Sequence, residues 1–476
     1  MNAHPLHNAT YPLSSTHFHF IGIGGIGMSG IASILAQQGH KVSGCDANID
    51  QISIQQLTAL GCSIHEHNNS TYCNDESITV LVYIPMYANT IPAVIQEINN
   101  GRQRNITILS RAQLLAQLMA QKYSIAIAGS HGKTTTTSLI SHILLSAQKS
   151  PTVVVGGQLK NISSNAYNGN GDIIVAEADE SDRSFLELHP DIAVVTNIDL
   201  EHLETYKDLP DIITTFQRFL THIRPQGTVI ACADDQNINV ILPYIRKPII
   251  TYGIEKEAHV RAHSITLLQD SCIFTVQCQN DSQEHNIHLP LPGKHNIYNA
   301  LAAIATTRTL TIEWNTIVKH LASFKGVERR FSYHGMYKGA EIFDDYGHHP
   351  QEIKCTLEVA RKRAKNKLIV VFQPHRYTRT EKLWHDFITT FSTSLIDILI
   401  ITDIYSAGEK PISYITGKKL VTSIHTAYPS IKVHYAPFEE DFHSIKQLIS
   451  NHTEHNDLIL FLGAGKMNLI AEEIIQ

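Results

Sequence analysis

Two glycine-bearing loops, each following an apolar β-branched run, are the residues of this chain best suited to phosphate chemistry. They are Gly22–Gly27 (GIGGIG) and Gly129–Thr134 (GSHGKT). The first pattern suits a diphosphate bound at a helix N-terminus. The second adds a lysine for terminal phosphates and a threonine hydroxyl for Mg²⁺. Together the two loops predict a protein that uses a nucleoside triphosphate to act on a substrate that is itself nucleotide-linked.

The first loop matches the pattern G-x-G-x-x-G between a predicted strand and a predicted helix. Asp46 closes the next strand, where a dinucleotide fold places its ribose partner. Taken alone, this favours NAD, but a UDP-sugar offers the same diphosphate, and a tight turn without a ligand is a further alternative. The candidate diphosphate and ribose contacts are Gly22, Gly24, Gly25, Ile26, Gly27 and Asp46.

The second loop is a shortened version of the P-loop, because Ile127 stands where the strict pattern has its first glycine. Its chemistry is retained, since Gly129 and Gly132 let backbone N–H groups face phosphates and Lys133 supplies a point charge. The predicted ATP contacts in this loop are Gly129, Ser130, His131, Gly132, Lys133, Thr134 and Thr135.

Two later strand ends carry candidate metal ligands. Glu177 follows the apolar run 173–176, and a carboxylate at the end of a buried strand near a P-loop commonly holds Mg²⁺. His202 follows the run 192–195 in a mixed oxygen and nitrogen cluster with Asp199 and Glu201. We therefore predict Thr134, Glu177 and His202 as ligands of Mg²⁺. For Asp179, Glu180 and Asp182 the sequence leaves a metal role and a solvated loop equally open.

The order of the strands and helices that must position these residues predicts an α/β protein of three domains. Strands at 17–23 and 41–46 flank a helix at 28–38, and a helix covers 111–120. Such alternation predicts a doubly wound parallel sheet. The alternation of strands and helices restarts after residue 122. From about 250 to 290 it gives way to short stretches that indicate antiparallel strands, and it resumes after residue 325. We expect a Rossmann-like domain at 1–122, a P-loop ATPase-like domain at 123–325 and a Rossmann-like domain at 326–476.

Composition excludes several classes of protein. A net charge of −6 argues against a nucleic-acid binder, and no apolar run is long enough to span a membrane. Seven scattered cysteines without CxxC pairs fit a reducing cytosol, and residues Met1–Pro5 do not resemble the start of a secretory signal. We therefore expect a cytoplasmic protein that is a monomer or a homodimer.

In combination, the two loops and six further stretches resemble the Mur ligases. The resemblance extends through all three expected domains. The matching stretches are Phe20–Gly30, Gly129–Thr135, Glu177–Asp182, Gly293–Asn296 with Asn299 and Ala300, Arg329–Phe331, Asp344–Pro350, Gln373–Thr380 and Tyr405–Glu409.

The resemblance implies a ligase that binds a UDP-sugar on its N-terminal domain and ATP on its central domain. It points to the branch that joins L-alanine to the carboxylate of UDP-N-acetylmuramate through an acyl phosphate, in bacterial cell-wall synthesis. ATP would be the co-substrate and two Mg²⁺ ions the cofactors. His295, Asn296, Arg330 and Asp345 would reach ATP.

For the amino acid, the resemblance implies a pocket on the third domain. Arg376 and Arg379 would clamp the alanine carboxylate, since a guanidinium fork suits that group, and His348 would line the pocket. The residues with implied catalytic roles are Lys133, Glu177, His202, Arg330 and His348.

The chain departs from the family pattern in three places. Tyr83–Ala88 replaces a run of small residues, Glu201 and Glu204 stand where shorter acids are usual, and Gln217 and Arg218 lie near the position of a modified lysine. We therefore expect no modified lysine here.

Three alternative functions remain open. A sister ligase would attach a preformed peptide to the same sugar, and an NAD-dependent oxidoreductase would use only the first loop. A non-catalytic nucleotide-binding switch would bind ATP without turnover.

Overall fold

The computed structural model describes residues 16–66, 75–88, 91–159 and 164–475. The segment Met1–Pro5, on which the expectation about a secretory signal depends, lies outside these ranges. Among the described residues, no helix combines the length and the apolar character needed to cross a membrane.

The N-terminal sheet is parallel throughout and is covered by helices on both faces. Its strands are β1 (His17–Ile21), β2 (Lys41–Asp46), β3 (Ser63–Glu66), β4 (Val80–Tyr83) and β5 (Thr107–Ser110). Its helices are α1 (Ile26–Gln37), α2 (Ile52–Ala59), α3 (Pro85–Ala88), α4 (Pro92–Gln103) and α5 (Arg111–Ala120). The strand order is β3-β2-β1-β4-β5, and Phe18 and Phe20 of β1 face one core while Ile21 faces the other.

The central sheet is mixed. Its strands are β6 (Tyr123–Ala128), β7 (Thr152–Leu159), β8 (Ser164–Tyr167), β9 (Ile173–Glu177), β10 (Ile192–Val195), β11 (Thr228–Cys232), β12 (Ile249–Gly253), β13 (Val260–Leu267), β14 (Cys272–Cys278) and β15 (His285–Leu289). Its helices are α6 (Lys133–Ser146), α7 (Leu209–Thr221), α8 (Gln236–Ile241), α9 (Lys294–Thr309) and α10 (Trp314–Ala322). The order is β15-β14-β13-β12-β11-β10-β6-β9-β7-β8.

The antiparallel pairing predicted for residues 250–290 is confirmed for β13, β14 and β15. The same prediction is wrong for β12, which pairs parallel with both β11 and β13. Alternation marks a strand with one exposed face but does not reveal the direction of its neighbour.

The C-terminal sheet is parallel apart from its first strand. Its strands are β16 (Ser332–Tyr337), β17 (Ala340–Asp345), β18 (Leu368–Phe372), β19 (Ile398–Ile401), β20 (Lys432–Tyr435) and β21 (Leu458–Leu462). Its helices are α11 (Pro350–Arg363), α12 (Tyr377–Lys382), α13 (Trp384–Thr393), α14 (Gly417–Ala427), α15 (His443–His452) and α16 (Met467–Ile474). The order is β16-β17-β21-β18-β19-β20, with β16 antiparallel to β17.

Candidate active site

The second glycine loop joins β6 to α6 through two positions that only glycine can fill. Gly129 has a φ of +135°, and a Cβ there would lie 2.0 Å from Thr196 Oγ1. Gly132 has a φ of +82°, and a Cβ there would lie 2.4 Å from Asn299 Oδ1. The two glycines therefore let the loop curve tightly. The N–H groups of Ser130 and His131 donate to Asn197 at 3.0 and 2.8 Å, so the amides that face a ligand are those from Gly132 to Thr135 at the start of α6.

Lys133, the first residue of α6, folds back over this loop. Its Nζ donates to the carbonyl oxygens of Gly129 (2.6 Å) and Ser130 (3.0 Å) and to Glu180 Oε1 (2.7 Å). Burial works to lower the pKa of Lys133, but the charges of Glu180 and Glu201 outweigh burial and raise it. The cleft thus holds a fixed positive charge at neutral pH.

Glu177 ends β9 directly beside Thr134. The Thr134 hydroxyl lies 3.1 Å from each Glu177 carboxylate oxygen, and the backbone N–H of Gly156 donates to Glu177 Oε2 at 2.8 Å. Burial raises the pKa of Glu177 despite the nearby Lys133. The hydroxyl and the carboxylate form a pair of oxygen ligands at the start of α6.

His202 forms a second polar cluster with carboxylates on three sides. Its Nε2 lies 3.2 Å from Glu180 Oε1 and 3.6 Å from Glu201 Oε2, and its Nδ1 lies 3.7 Å from Glu204 Oε1. Burial opposes protonation, but the charge of Glu201 and the hydrogen bond to Glu180 raise the pKa of His202 to about 10. A cation bound among these carboxylates would displace that proton, since only the neutral imidazole ligates a metal.

These donors fit a hard divalent cation. Glu180 is 2% exposed, and its Oε2 has no hydrogen-bond partner among the described residues. The nearest donor atoms of Glu180, Glu201 and His202 all lie within 4.8 Å of one another. Carboxylate and hydroxyl oxygens are the ligands that Mg²⁺ prefers, and a buried acceptor without a partner is costly unless a cation satisfies it.

His131 of the loop meets Glu352, which belongs to the first turn of α11 in the C-terminal domain. Glu352 Oε1 lies 3.5 Å from His131 Nδ1 and 3.7 Å from Arg330 Nη1, and Asp199 Oδ2 lies 3.3 Å from His131 Nε2. Burial opposes protonation of His131, but Asp199 and Glu352 raise its pKa to about 10. Glu352 therefore joins two cations from different domains.

A cavity of about 360 Å³ opens beside the loop between the central and C-terminal domains. The predicted ATP contacts that line it are His131, Gly132, Thr135, His295, Asn296, Arg330 and Asp345. Burial and the charge of Arg330 lower the pKa of His295 to about 4, so its ring is neutral. Burial raises the pKa of Asp345 to about 6, and its carboxylate accepts hydrogen bonds from the N–H groups of Gly347 and Phe331.

The two arginines predicted to hold an amino acid are paired with carboxylates of the central domain. Arg376 Nη1 lies 3.3 Å from Glu204 Oε1, and Arg379 Nη2 lies 3.7 Å from Glu201 Oε1. His348 Nε2 lies 4.0 Å from the same Glu201 oxygen, and burial with the charge of Arg379 lowers the pKa of His348 to about 4. This corner brings two guanidinium groups and one neutral imidazole next to the His202 cluster.

The first glycine loop joins β1 to α1. The N–H groups of Gly22 (2.8 Å) and Ile23 (3.0 Å) donate to the carbonyl oxygen of Cys45, and the N–H of Gly24 donates to Asp46 Oδ2 at 2.8 Å. Gly25 is the N-cap of α1 and supplies no side-chain cap. The first turn of α1 thus presents its backbone amides toward an incoming anion.

Arg111 connects the first loop to the acidic segment after β9. A Cβ added at Gly27 would lie 2.9 Å from Arg111 Nη1, and Arg111 Nη2 donates to Asp179 Oδ2 at 2.8 Å. Asp179 directly precedes Glu180, the partner of Lys133. The guanidinium therefore lies over the first loop and is tied to the acidic segment that follows β9 and contains the partner of Lys133.

Comparisons with known proteins agree with this arrangement. Family models match the three parts of the chain: "Mur ligase family, catalytic domain" at residues 17–123, "Mur ligase middle domain" at 127–307 and "Mur ligase, glutamate ligase domain" at 329–465. The chain belongs to the Mur ligase family. Its prediction as a three-domain α/β protein is confirmed by these matches and by the three sheets.

Individual relatives and solved structures cover nearly the whole of this Mur ligase. A UDP-N-acetylmuramate–L-alanine ligase of Syntrophotalea carbinolica is 41% identical over 96% of the chain and 97% of its own length. One of Aquifex aeolicus is 39% identical over 96% of the chain and 97% of its own length. The crystal structure of the UDP-N-acetylmuramate-alanine ligase of Thermotoga maritima matches with a TM-score of 0.78 and 26% identity, covering 96% of this chain and 98% of that one.

Sequence reasoning gives no role to three residues that this Mur ligase brings into its cleft, Arg111, Asn299 and Glu352. Arg111 carries no local signal, and Asn299 is recognised only as part of a matching stretch, because each meets its glycine loop through the tertiary fold. Glu352 reads as an ordinary helix N-cap partner, and it does form a capping box with His349. For Glu180 the sequence leaves a metal role and a solvated loop equally open, although its place between Glu177 and His202 favours the metal role.

Proposed function

We propose that this Mur ligase joins L-alanine to the carboxylate of UDP-N-acetylmuramate at the expense of ATP, in peptidoglycan precursor synthesis. The observation that carries the proposal is the link through Arg111, which ties the diphosphate loop to Asp179, the residue next to Glu180, the acidic partner of Lys133. The relatives named above, which carry this activity in their names, support the choice of substrates. The domain limits remain those expected from the sequence, at 1–122, 123–325 and 326–476.

The reaction proceeds in two displacements. A carboxylate oxygen of the sugar attacks the γ-phosphorus of ATP, so ADP leaves and an acyl phosphate forms. The amine nitrogen of L-alanine then attacks the acyl carbon, the bond from that carbon to the phosphate oxygen breaks, and phosphate leaves with an amide formed. The nitrogen releases a proton in this step. Phosphoryl transfer of this type depends mainly on positioning and on neutralising charge.

In the first displacement, Lys133 reduces the repulsion between the sugar carboxylate and the triphosphate. Thr134 and Glu177 would hold one Mg²⁺ and His202 would help to hold a second, adding positive charge between the two anions. The loop from Gly129 to Thr135, with the backbone amides at the start of α6, cradles the phosphates, and His295, Asn296, Arg330 and Asp345 surround the rest of the nucleotide. Arg330 adds a cation from the third domain.

In the second displacement, the corner around Glu201 holds the amino acid. Arg376 and Arg379 exchange Glu204 and Glu201 for the alanine carboxylate, which suits a guanidinium fork. His348 is neutral because its pKa is about 4, so its ring can accept a hydrogen bond from the alanine amine. The first loop, with Gly22, Gly24, Gly25, Ile26, Gly27 and Asp46, holds the UDP portion. We place this reaction in the bacterial cytoplasm, in keeping with the scattered cysteines.

The test is release of phosphate from ATP with UDP-N-acetylmuramate present and the second acceptor varied. We expect turnover with L-alanine and little with the preformed tripeptide. Preference for the tripeptide would identify the sister ligase instead. Reduction of a nicotinamide, or ATP binding without ADP release when both acceptors are present, would overturn the proposal altogether.

A further inference from the structure

A second group of metal-binding residue types lies in the core of the N-terminal domain, away from the nucleotide cleft. It consists of His19 on β1, Cys45 on β2 and Glu97 on α4, which are 1%, 1% and 3% exposed. Their nearest donor atoms all lie within 4.8 Å of one another. The group contains imidazole, thiol and carboxylate, contributed by three different elements.

The spacing of the thiol and the carboxylate suits a shared ion. Cys45 Sγ lies 3.7 Å from each of the two Glu97 carboxylate oxygens. A tetrahedral ion with a metal–sulfur bond of about 2.3 Å and a metal–oxygen bond of about 2.0 Å separates those two ligands by about 3.5 Å. The observed distance therefore needs almost no change to accept such an ion.

A hydrogen-bonded neighbour orients the imidazole. Ser43 Oγ lies 2.8 Å from His19 Nδ1 and 2.7 Å from His17 Nε2. This contact fixes the ring of His19 and makes Nε2 the nitrogen that would bind a metal. Histidine ligands of metals characteristically make such a bond through their other ring nitrogen.

We propose that His19, Cys45 and Glu97 bind a structural Zn²⁺ ion. A set with thiolate and imidazole favours zinc over magnesium, so this site differs in chemistry from the oxygen-rich cluster in the nucleotide cleft. Binding converts the Cys45 thiol to a thiolate, with the proton released to solvent. A buried carboxylate such as Glu97 is also less costly when it coordinates a cation.

The ion would stabilise the first glycine loop. The carbonyl oxygen of Cys45 accepts hydrogen bonds from the N–H groups of Gly22 and Ile23. An ion held by the side chain of the same residue would restrain the base of the loop that faces the diphosphate. The site would act on the rigidity of the loop and take no part in the chemical steps.

The test is titration of the metal-free full-length protein with Co²⁺, followed by competition with Zn²⁺. We expect a cobalt–thiolate charge-transfer absorption in the near ultraviolet that zinc abolishes. The absorption should be absent from Cys45→Ser and retained in Cys62→Ser, which alters another buried cysteine of the same domain. Cobalt in the cluster of Glu180, Glu201 and His202 gives no such band, because that cluster lacks sulfur.

A second measurement covers the case in which Cys45→Ser does not fold. The wild-type protein should bind about one Zn²⁺ per chain outside the nucleotide cleft, and Glu97→Gln should bind it on the order of 10²-fold more weakly. Absence of a thiolate band from the folded wild type, or an unchanged zinc affinity in Glu97→Gln, would reduce the group to a thiol–carboxylate contact. Neither result bears on ligase turnover, which tests the proposed function separately.

Discussion

At the scale of single residues, the proposed chemistry depends most on the charge of Lys133. Its ammonium group is held by two loop carbonyls and Glu180, on the side of the loop where terminal phosphates would lie. We expect Lys133→Ala to lower turnover at least about 10²-fold, as removal of a charge-stabilising group commonly does. Phosphate release and calorimetric binding of UDP-N-acetylmuramate would be measured in parallel.

Binding of the UDP-sugar should remain near the wild-type value, because the first glycine loop is formed by a different domain. Lys446→Ala, which removes a surface lysine paired with Glu473, serves as the matched control and should retain full turnover. Loss of UDP-sugar binding together with turnover in Lys133→Ala would show that the two phosphate sites are not separate.

The residues of the cleft differ in whether the neighbouring sequence is enough to predict their role. Lys133, Thr134 and Glu177 can be predicted because each lies at a fixed offset from a strand end or a loop. Arg111 cannot, since its position over Gly27 follows from packing within the N-terminal domain and its partner Asp179 belongs to the central domain. Glu180 differs from its acidic neighbours mainly in burial, and burial of one acid among several in a loop depends on tertiary packing.

At the scale of elements, the turn from β6 into α6 imposes a strict steric requirement. We expect Gly129→Ala to lower the free energy of unfolding by several times the cost of Gly39→Ala, measured by urea denaturation. Gly39 also has a positive φ, but a Cβ there meets no atom within 4 Å, so its cost is the backbone term of about 1 kcal/mol. Equal costs for the two variants would mean that the loop relaxes around Thr196.

A pH effect on stability is expected where α6 packs against α10. His142 and His320 face each other with ring centroids 5.9 Å apart, and His142 Nε2 lies 3.2 Å from Ser323 Oγ. Burial, and then the charge of His320, lowers the pKa of His142 below 6.5, and burial, and then the charge of Lys319, lowers the pKa of His320. The folded state thus binds fewer protons than the unfolded state, so the free energy of unfolding falls as the pH drops below 6.5.

For His142 alone this slope cannot exceed about 1.4 kcal/mol per pH unit. His142→Gln should therefore show a shallower loss of stability between pH 6.5 and pH 5 than the wild type in urea denaturation series. His425→Gln, which alters an exposed histidine of α14, should keep the wild-type slope. Because buried histidines elsewhere also titrate, only the difference between variant and wild type is informative.

Most elements can be predicted from the sequence because their signals are local. The bounds of β2, β10 and α5 agree with the predicted ranges, while the predicted strand at 17–23 ends earlier, at Ile21, where the loop begins. The parallel pairing of β12 could not be predicted, since direction is decided by which neighbour the strand meets.

At the scale of the whole molecule, the third domain completes the cleft through contacts that join distant parts of the sequence. Glu352 meets His131 and Arg330, Arg376 meets Glu204, and Lys382 Nζ donates to the carbonyl oxygen of Leu203 at 2.6 Å. Such contacts have no periodic signature, so the sequence predicts the domains but not how they meet. Because most of these contacts involve charged side chains of the cleft, the free energy of domain closure depends on the charges in the site.

Removal of the Glu352 charge should therefore impair closure without unfolding the domain. Glu352→Gln can still accept the hydrogen bonds that cap α11, because glutamine serves in a capping box as glutamate does. It would leave His131 and Arg330 without their shared carboxylate, so we expect turnover to fall on the order of 10²-fold and the radius of gyration in solution scattering to increase. Glu358→Gln, an exposed change on the same helix, should alter neither. A variant with reduced turnover but an unchanged radius of gyration would assign Glu352 a local role at the nucleotide, and the contacts at Glu204 and Leu203 would then be sufficient to hold the domains together.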